Sequence, residues 1–246
     1  MHIILGHENA DFDAVAALLG ARKLYPDAVP VLPEKQNRNV EAFLALYLSG
    51  LPFVRRADVD MNTVDQITLV DTQRVPQIRG LAADVPTLVI DHHPVKSEAE
   101  AHVTLTGEVI GSTTTLLVEQ MQQQAIPLTS LEATLLALGI YEDTGSLTYG
   151  GTTPRDVRAA AWLIEQHAAL DTVRKFLEPP LNDEQQARFE ALLTRADVLL
   201  LDVVWQIGDG NRYTATWQAP AGTPGGSYRF VITARRYRLT SSSFTR

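Results

Sequence analysis

The chain has 246 residues, 45% of them hydrophobic and 20% charged, with a formal net charge of −8 at pH 7. This is folded globular material, enough for one large domain or for one domain with a smaller companion, and it excludes a disordered tail. The absence of cysteine excludes a disulfide scaffold, a cysteine nucleophile and any thiolate metal site, and it fits a cytoplasmic location. No apolar run approaches the ~18 residues of a membrane span, and the opening MHIILGHEN lacks a basic leader and a cleavage site. The acidic total argues against a protein that holds long nucleic acid by charge.

That charge is unevenly spread. Residues 203–246 carry six arginines against one acid, Asp209, a balance of +5 that leaves −13 for residues 1–202. The same stretch holds seven of the seventeen aromatics and five of the fifteen glycines. Such a shift marks a separate small domain or a foreign terminus.

In chain order, short β-rich runs alternate with helical patterns over the first 100 residues, the signature of a parallel α/β sheet. His2-Ile3-Ile4-Leu5, Gln66 to Val70 and Thr87 to Ile90 read as strands. Between the first two, Val40, Phe43, Leu44, Tyr47 and Leu48 form one apolar helix face, closed by Gly50. Ser112 caps a helix through about Gln123. Thr129 and Glu132 form a capping box for a very apolar helix ending near Tyr141. Thr153-Pro154-Arg155-Asp156 repeats the cap, with proline at the first helical position. Glu178-Pro179-Pro180-Leu181 reads as a linker, after which Asn182 caps a helix carrying Phe189, Leu192, Leu193 and Ala196. Short β-like runs follow, broken by Gly208, Gly210 and the stretch at 222–226.

Acids and histidines follow each strand: His7 to Asp13 after the first, Asp71-Thr72 after the second, Asp91-His92-His93 after the third. Glu142-Asp143-Thr144-Gly145 follows the apolar helix. A parallel sheet delivers such residues to one edge, outside its carboxyl ends, where ligands bind. Carboxylates gathered there repel one another unless a cation sits among them. Oxygen ligands mixed with imidazole suit manganese, magnesium, iron or cobalt, and five aspartates are too many for one ion. Two ions sharing a bridging carboxylate would use them all and suit phosphate-ester hydrolysis.

His7-x-Asn9-x-Asp11-x-Asp13-Ala14, Val70-Asp71-Thr72, Asp91-His92-His93 and Asp143-Thr144-Gly145 resemble, in order, the four motifs of the DHH phosphoesterases. That superfamily includes single-strand exonucleases, oligoribonucleases, cyclic-di-AMP phosphodiesterases, family II pyrophosphatases and exopolyphosphatases. The resemblance covers about residues 1–180, with 181–246 left as a linker helix and a small β-containing C-terminal domain, complete or truncated. It implies an α/β fold and two divalent ions, manganese foremost, with magnesium, cobalt or iron as alternatives. His7, Asp11 and Asp71 would hold one ion. Asp13, Asp71, His92 and Asp143 would hold the second, with Asp71 bridging. His93 would face the substrate, and Asp91 would orient a histidine from behind. Asn9, Arg74 and Ser112 are weaker expectations as substrate contacts, the last because a helix start offers free N–H groups to a phosphate. His102 matches no motif.

The resemblance weakens in the tail. The oligoribonuclease and exonuclease branches carry a glycine-rich motif with a histidine there; only Gly225-Gly226-Ser227-Tyr228 stands in for it, and no histidine follows His167. Ala234-Arg235-Arg236-Tyr237 is a poor match to the basic motif of the pyrophosphatases, and Ala10 replaces the proline common in the first motif. The first motif and the run from Leu147 to Asp156 are similar to the DHH module ahead of CBS and tRNA-nucleotidyltransferase-like domains in long bacterial proteins. The chain could be the first part of such a protein, and its ending could be a truncation or a changed reading frame. The expected activity is hydrolysis of a short oligoribonucleotide or cyclic dinucleotide, with a homodimer left open. The alternatives are a pyrophosphatase or polyphosphatase, and a non-catalytic nucleotide- or metal-binding module of a larger RNA-processing protein.

Overall fold

The computed structural model describes residues 1–95, 100–177 and 183–195, and six short strands beyond residue 203. The chain divides into two compact units, Met1–Pro180 and Leu181–Arg246.

The first unit is built on β1 (His2–Leu5), β2 (Val29–Leu32), β3 (Val54–Arg55), β4 (Gln66–Val70), β5 (Thr87–Ile90) and β6 (Val103–Thr106). Every pairing is parallel, and the strand order is β3-β2-β1-β4-β5-β6. The chain therefore starts in the middle of the sheet, winds outward one way through β2 and β3, then returns to the other side of β1 with β4. Residues just past β1, β4 and β5 consequently lie side by side.

Alternation along the strands splits the core in two. Ile4, Val70 and Ile90 belong to the larger cluster, while Ile3, Leu5, Ile67, Leu69 and Val89 belong to the smaller one. The larger cluster is completed by helices α1 (Phe12–Leu24), α2 (Arg38–Tyr47), α3 (Thr113–Gln123), α4 (Ser130–Asp143), α5 (Pro154–Glu165) and α6 (Leu170–Leu177). Helix α4 is buried continuously from Ala133 to Ile140, so it runs through this core with no solvent face in that stretch. Its Thr129–Glu132 capping box is present, as is that of α5 between Thr153 and Asp156, and Ser112 caps α3. Helix α4 runs two residues further than its apolar pattern suggests, so Glu142 and Asp143 lie on its last turn instead of beyond it.

Helices α1 and α4 approach closely at Gly139. A Cβ there would lie 2.7 Å from the Ala16 Cβ, 2.7 Å from the Thr114 Oγ1 and 3.1 Å from the Phe12 carbonyl oxygen. Gly139→Ala should therefore destabilise the unit by about 1–3 kcal/mol, despite alanine's better helix propensity. A thermal melt in chelator should show a midpoint several degrees lower; an unchanged midpoint would mean the helices can part without cost.

In the second unit, α7 spans Asp183–Arg195, and the strands pair antiparallel. These are β7 (Val204–Gly208) with β8 (Arg212–Thr216), β9 (Ser227–Arg229) with β12 (Ser243–Thr245), and β10 (Thr233–Ala234) with β11 (Tyr237–Arg238). The first run ends at Gly208, as expected, and Gly210 lies outside the described residues. The linker at 178–181, the Asn182 cap, Ala196 and the glycine stretch at 222–226 lie outside the described residues. No helix among the described residues is long and apolar enough to cross a membrane.

Candidate metal centre

Three loops and one helix end bring the expected residues together. Asp11 caps α1, its side chain accepting from the Ala14 N–H at 3.0 Å, and Asp13 follows in the first turn, fully buried. Asp71 leaves β4 with φ at 57°, a left-handed backbone that among non-glycine residues aspartate and asparagine tolerate best. Asp91 and His92 leave β5, and Asp143 ends α4.

Three groups of potential ligand atoms result, each with its atoms within 4.8 Å of one another: Asp71–His92–His93 joins the two sets His7–Asp11–Asp71 and Asp13–His92–Asp143. Asp71 stands between them. Its Oδ2 lies 3.3 Å from His7 Nε2, and its Oδ1 lies 3.6 Å from His92 Nε2. His92 Nε2 is also 3.2 Å from Asp143 Oδ2, and His7 Nε2 is 3.8 Å from Asp11 Oδ1.

Surrounding hydrogen bonds fix these groups. His92 Nδ1 meets the Ile110 carbonyl at 2.8 Å, so that nitrogen carries the proton and Nε2 presents its lone pair to the carboxylates. That Nε2 is buried and makes no hydrogen bond among the described residues. An orphaned imidazole nitrogen facing carboxylates needs a cation or a second proton between them, so the donor set fits a metal. The first two N–H groups of α3 hold Asp13, from Thr113 at 2.8 Å and Thr114 at 2.9 Å, and the Thr113 hydroxyl donates to Asp71 Oδ1 at 3.0 Å.

The charges are strained without such a cation. Burial, with Asp71 and Asp143 nearby, pushes the Asp13 carboxyl well above the usual carboxylate range, and burial also raises Asp11. The hydrogen bond to Asp71 lifts His7 to about 9. Burial works against the His92 imidazolium, yet Asp143, Asp13, Asp71 and the Ile110 carbonyl together hold it at about 10.

His93 stands beside Asp71 and His92, with ligand atoms within 4.8 Å of theirs, and its orientation is set by Asp91. Its Nδ1 is 2.8 Å from Asp91 Oδ1, and Gln73 Nε2 donates to Asp91 Oδ2 at 2.7 Å. Buried Asp91 thus bears on half-exposed His93. His93 Nδ1 also comes within 3.9 Å of Asp71 Oδ1, but that nitrogen is engaged by Asp91.

The three expected substrate contacts separate. Arg74 is exposed and lines a cavity that also borders Asp71 and His93. Asn9 is exposed in the turn after β1, with φ at 57°. Ser112 corrects an expectation: it is fully buried, its hydroxyl is spent on Thr115, and the adjacent helix N–H groups are spent on Asp13. This helix start grips a carboxylate of the chain itself and is closed to a phosphate.

Several contributors carry no motif signal. Thr113 and Gln73 act through tertiary hydrogen bonds. Glu142 accepts from the Phe12 N–H at the start of α1, and burial, with Asp11 and Asp143 nearby, lifts its carboxyl to about 7. Asp156 was visible only as a helix cap. Its buried carboxylate also takes the Thr115 hydroxyl at 2.7 Å and the Gly111 N–H at 3.3 Å, pinning the segment that holds His92, Asp13 and Asp71.

A parallel sheet with histidines and carboxylates gathered past its carboxyl ends is an α/β domain of the ligand-binding kind. Residues 2–140 match the DHH family, N-terminal domain, and the chain belongs to that family. The A-adding tRNA nucleotidyltransferase of Geobacter sulfurreducens is 41% identical over 202 residues, covering 78% of this chain and 23% of that enzyme. The chain thus matches under a quarter of that relative's length. The cyclic-di-AMP phosphodiesterase GdpP of Geobacillus thermodenitrificans is 31% identical, over 71% of this chain and 29% of that one. A Brevibacillus brevis protein named a probable manganese-dependent inorganic pyrophosphatase is 29% identical, over 66% of this chain and 54% of its own. Among solved structures, an exopolyphosphatase-related protein from Bacteroides fragilis shares the fold. Its TM-score is 0.59 at 17% identity, over 78% of this chain and 60% of that one. Relatives named for phosphoester hydrolysis and for nucleotidyl transfer therefore share this domain. The manganese dependence in one name and the clustered acids and histidines together point to divalent metal binding.

Proposed function

We propose that the chain is a manganese-dependent phosphohydrolase of short nucleotide substrates, an oligoribonucleotide or a cyclic dinucleotide, working through two metal ions. The observation that carries this reading is Asp71, whose two oxygens face two different histidines, each backed by further carboxylates. His7, Asp11 and Asp71 would hold one ion, and Asp13, Asp71, His92 and Asp143 the other. Bound there, the ions would supply charge neutralisation at phosphorus and acidify water. The chain's own residues do the rest. Thr113, Thr114 and the Ile110 carbonyl orient the ligands, so little reorganisation is left for the reaction. Asp91 holds the Nδ1 of His93, which leaves Nε2 to meet the substrate and, as imidazolium, to give its proton to the leaving oxygen.

A second reading is a nucleotide-binding module within a larger RNA-processing protein, favoured by the 41% identity to a much longer tRNA nucleotidyltransferase. Mononucleotide release from a 5′-phosphorylated dinucleotide separates the two. Release in manganese and none in chelator supports the hydrolase. Dinucleotide binding without release, with manganese bound, supports the module.

A further inference from the structure

We propose that the cavity beside the metal centre seats the nucleoside half of a phosphodiester, a substrate assignment that rests on the hydrolase reading above. The cavity has a volume of about 1090 Å³ and lies between the segment after β4 and the strand β6. Asp71, Asp91 and His93 are part of its lining, so it is continuous with the place where a scissile phosphate would sit. Ligand sites for drug-sized molecules are roughly 300–1,000 Å³, so the space suits a nucleotide and far exceeds the needs of inorganic pyrophosphate.

Its chemistry is mixed in a way that matches a nucleoside monophosphate unit. Ile78, Leu81, Val103 and Leu105 line it with half-buried aliphatic surface while also packing on the smaller core cluster. A base and a sugar would cover that surface, whereas pyrophosphate would leave it wet. Arg74 and Arg79 are exposed in the same lining, and neither guanidinium has a hydrogen bond or ion pair among the described residues. In a chain of net charge −8, two unspent arginines beside a carboxylate-rich centre provide the attraction a second phosphate needs. They also offer flat cations on which a base can stack. His102, without a motif of its own, joins this lining and lies 3.7 Å from Glu100.

The test is equilibrium binding of AMP and of inorganic phosphate to the manganese-loaded full chain, with Arg79→Glu and Leu105→Trp beside the wild type. Arg79 is exposed, so the first variant leaves the fold intact; the second fills the apolar wall. Each should weaken AMP about tenfold or more while manganese affinity stays within about twofold, and Leu105→Trp should leave phosphate affinity within about twofold as well. AMP binding that is unchanged in both variants, or wild-type AMP binding no tighter than phosphate, would overturn the assignment. A wild type that binds AMP as expected but releases no mononucleotide would refute the hydrolase reading and leave the nucleoside seat standing.

Discussion

Asp71→Asn is expected to lower dinucleotide hydrolysis by at least about 10³-fold, because electrostatic help of ~4 kcal/mol or more depends on both ions being held. Asparagine keeps one oxygen and one amide where the native residue offers an oxygen to each histidine. It therefore cannot bridge, and titration calorimetry should find one tight manganese site at most in place of two. The fold should survive. Asparagine tolerates the 57° φ at this position as aspartate does, and the lost charge is one of those that raise Asp13 and Asp11. In chelator the variant should melt no lower than the wild type. Retained two-site binding would remove Asp71 from the bridging role, and a lower melting point would show a structural role instead.

Manganese should raise the melting temperature by roughly 10–20 °C when each site is at about a hundred times its Kd, since two such sites contribute ~5 kcal/mol. Its pH dependence should oppose that of the chelated protein. Without metal, His7 and His92 sit at about 9 and about 10, above their ordinary 6.5. Their contribution is complete below pH 6.5 and is lost as pH rises through those values. Glu142, raised from 4.5 to about 7, has the same sign: its contribution is complete below pH 4.5 and gone above 7. The chelated protein should thus lose stability steadily from about pH 5 to 10. Metal binding displaces those protons, so the manganese-induced shift should grow over the same window. Parallel slopes with and without manganese would show that no proton is exchanged for metal.

Much of this was legible in sequence because the signals are local. The three named strands have the predicted bounds, and the caps at Ser112, Thr129 and Thr153 are where side chain and backbone spacing demanded them. Strand β2 was harder to see, since Pro30 sits inside it although β2 is an interior strand, flanked by β1 and β3. Strand β3 is only two residues long. At the site, the ligand-type residues announced themselves by following strands. Their supports did not. Gln73 on Asp91, Glu142 on the first turn of α1 and Thr113 on Asp71 join positions 18, 130 and 42 residues apart, which no local pattern encodes. Ser112 misled because a free helix start and one already gripping Asp13 look alike in sequence.

The close pass of α1 and α4 has a further consequence. One helix begins at the site with Asp11 and Asp13, the other ends there with Asp143, and the gap between them is filled by Ala16, Thr114 and the missing side chain of Gly139. The separation between these carboxylates is therefore set by atoms in mid-core and not by the loops that carry them. A methyl group gained at any one of these positions has to be surrendered at another. The three behave as a single volume-conserving unit, so a library that varies them jointly should yield active proteins that single substitutions would never reach.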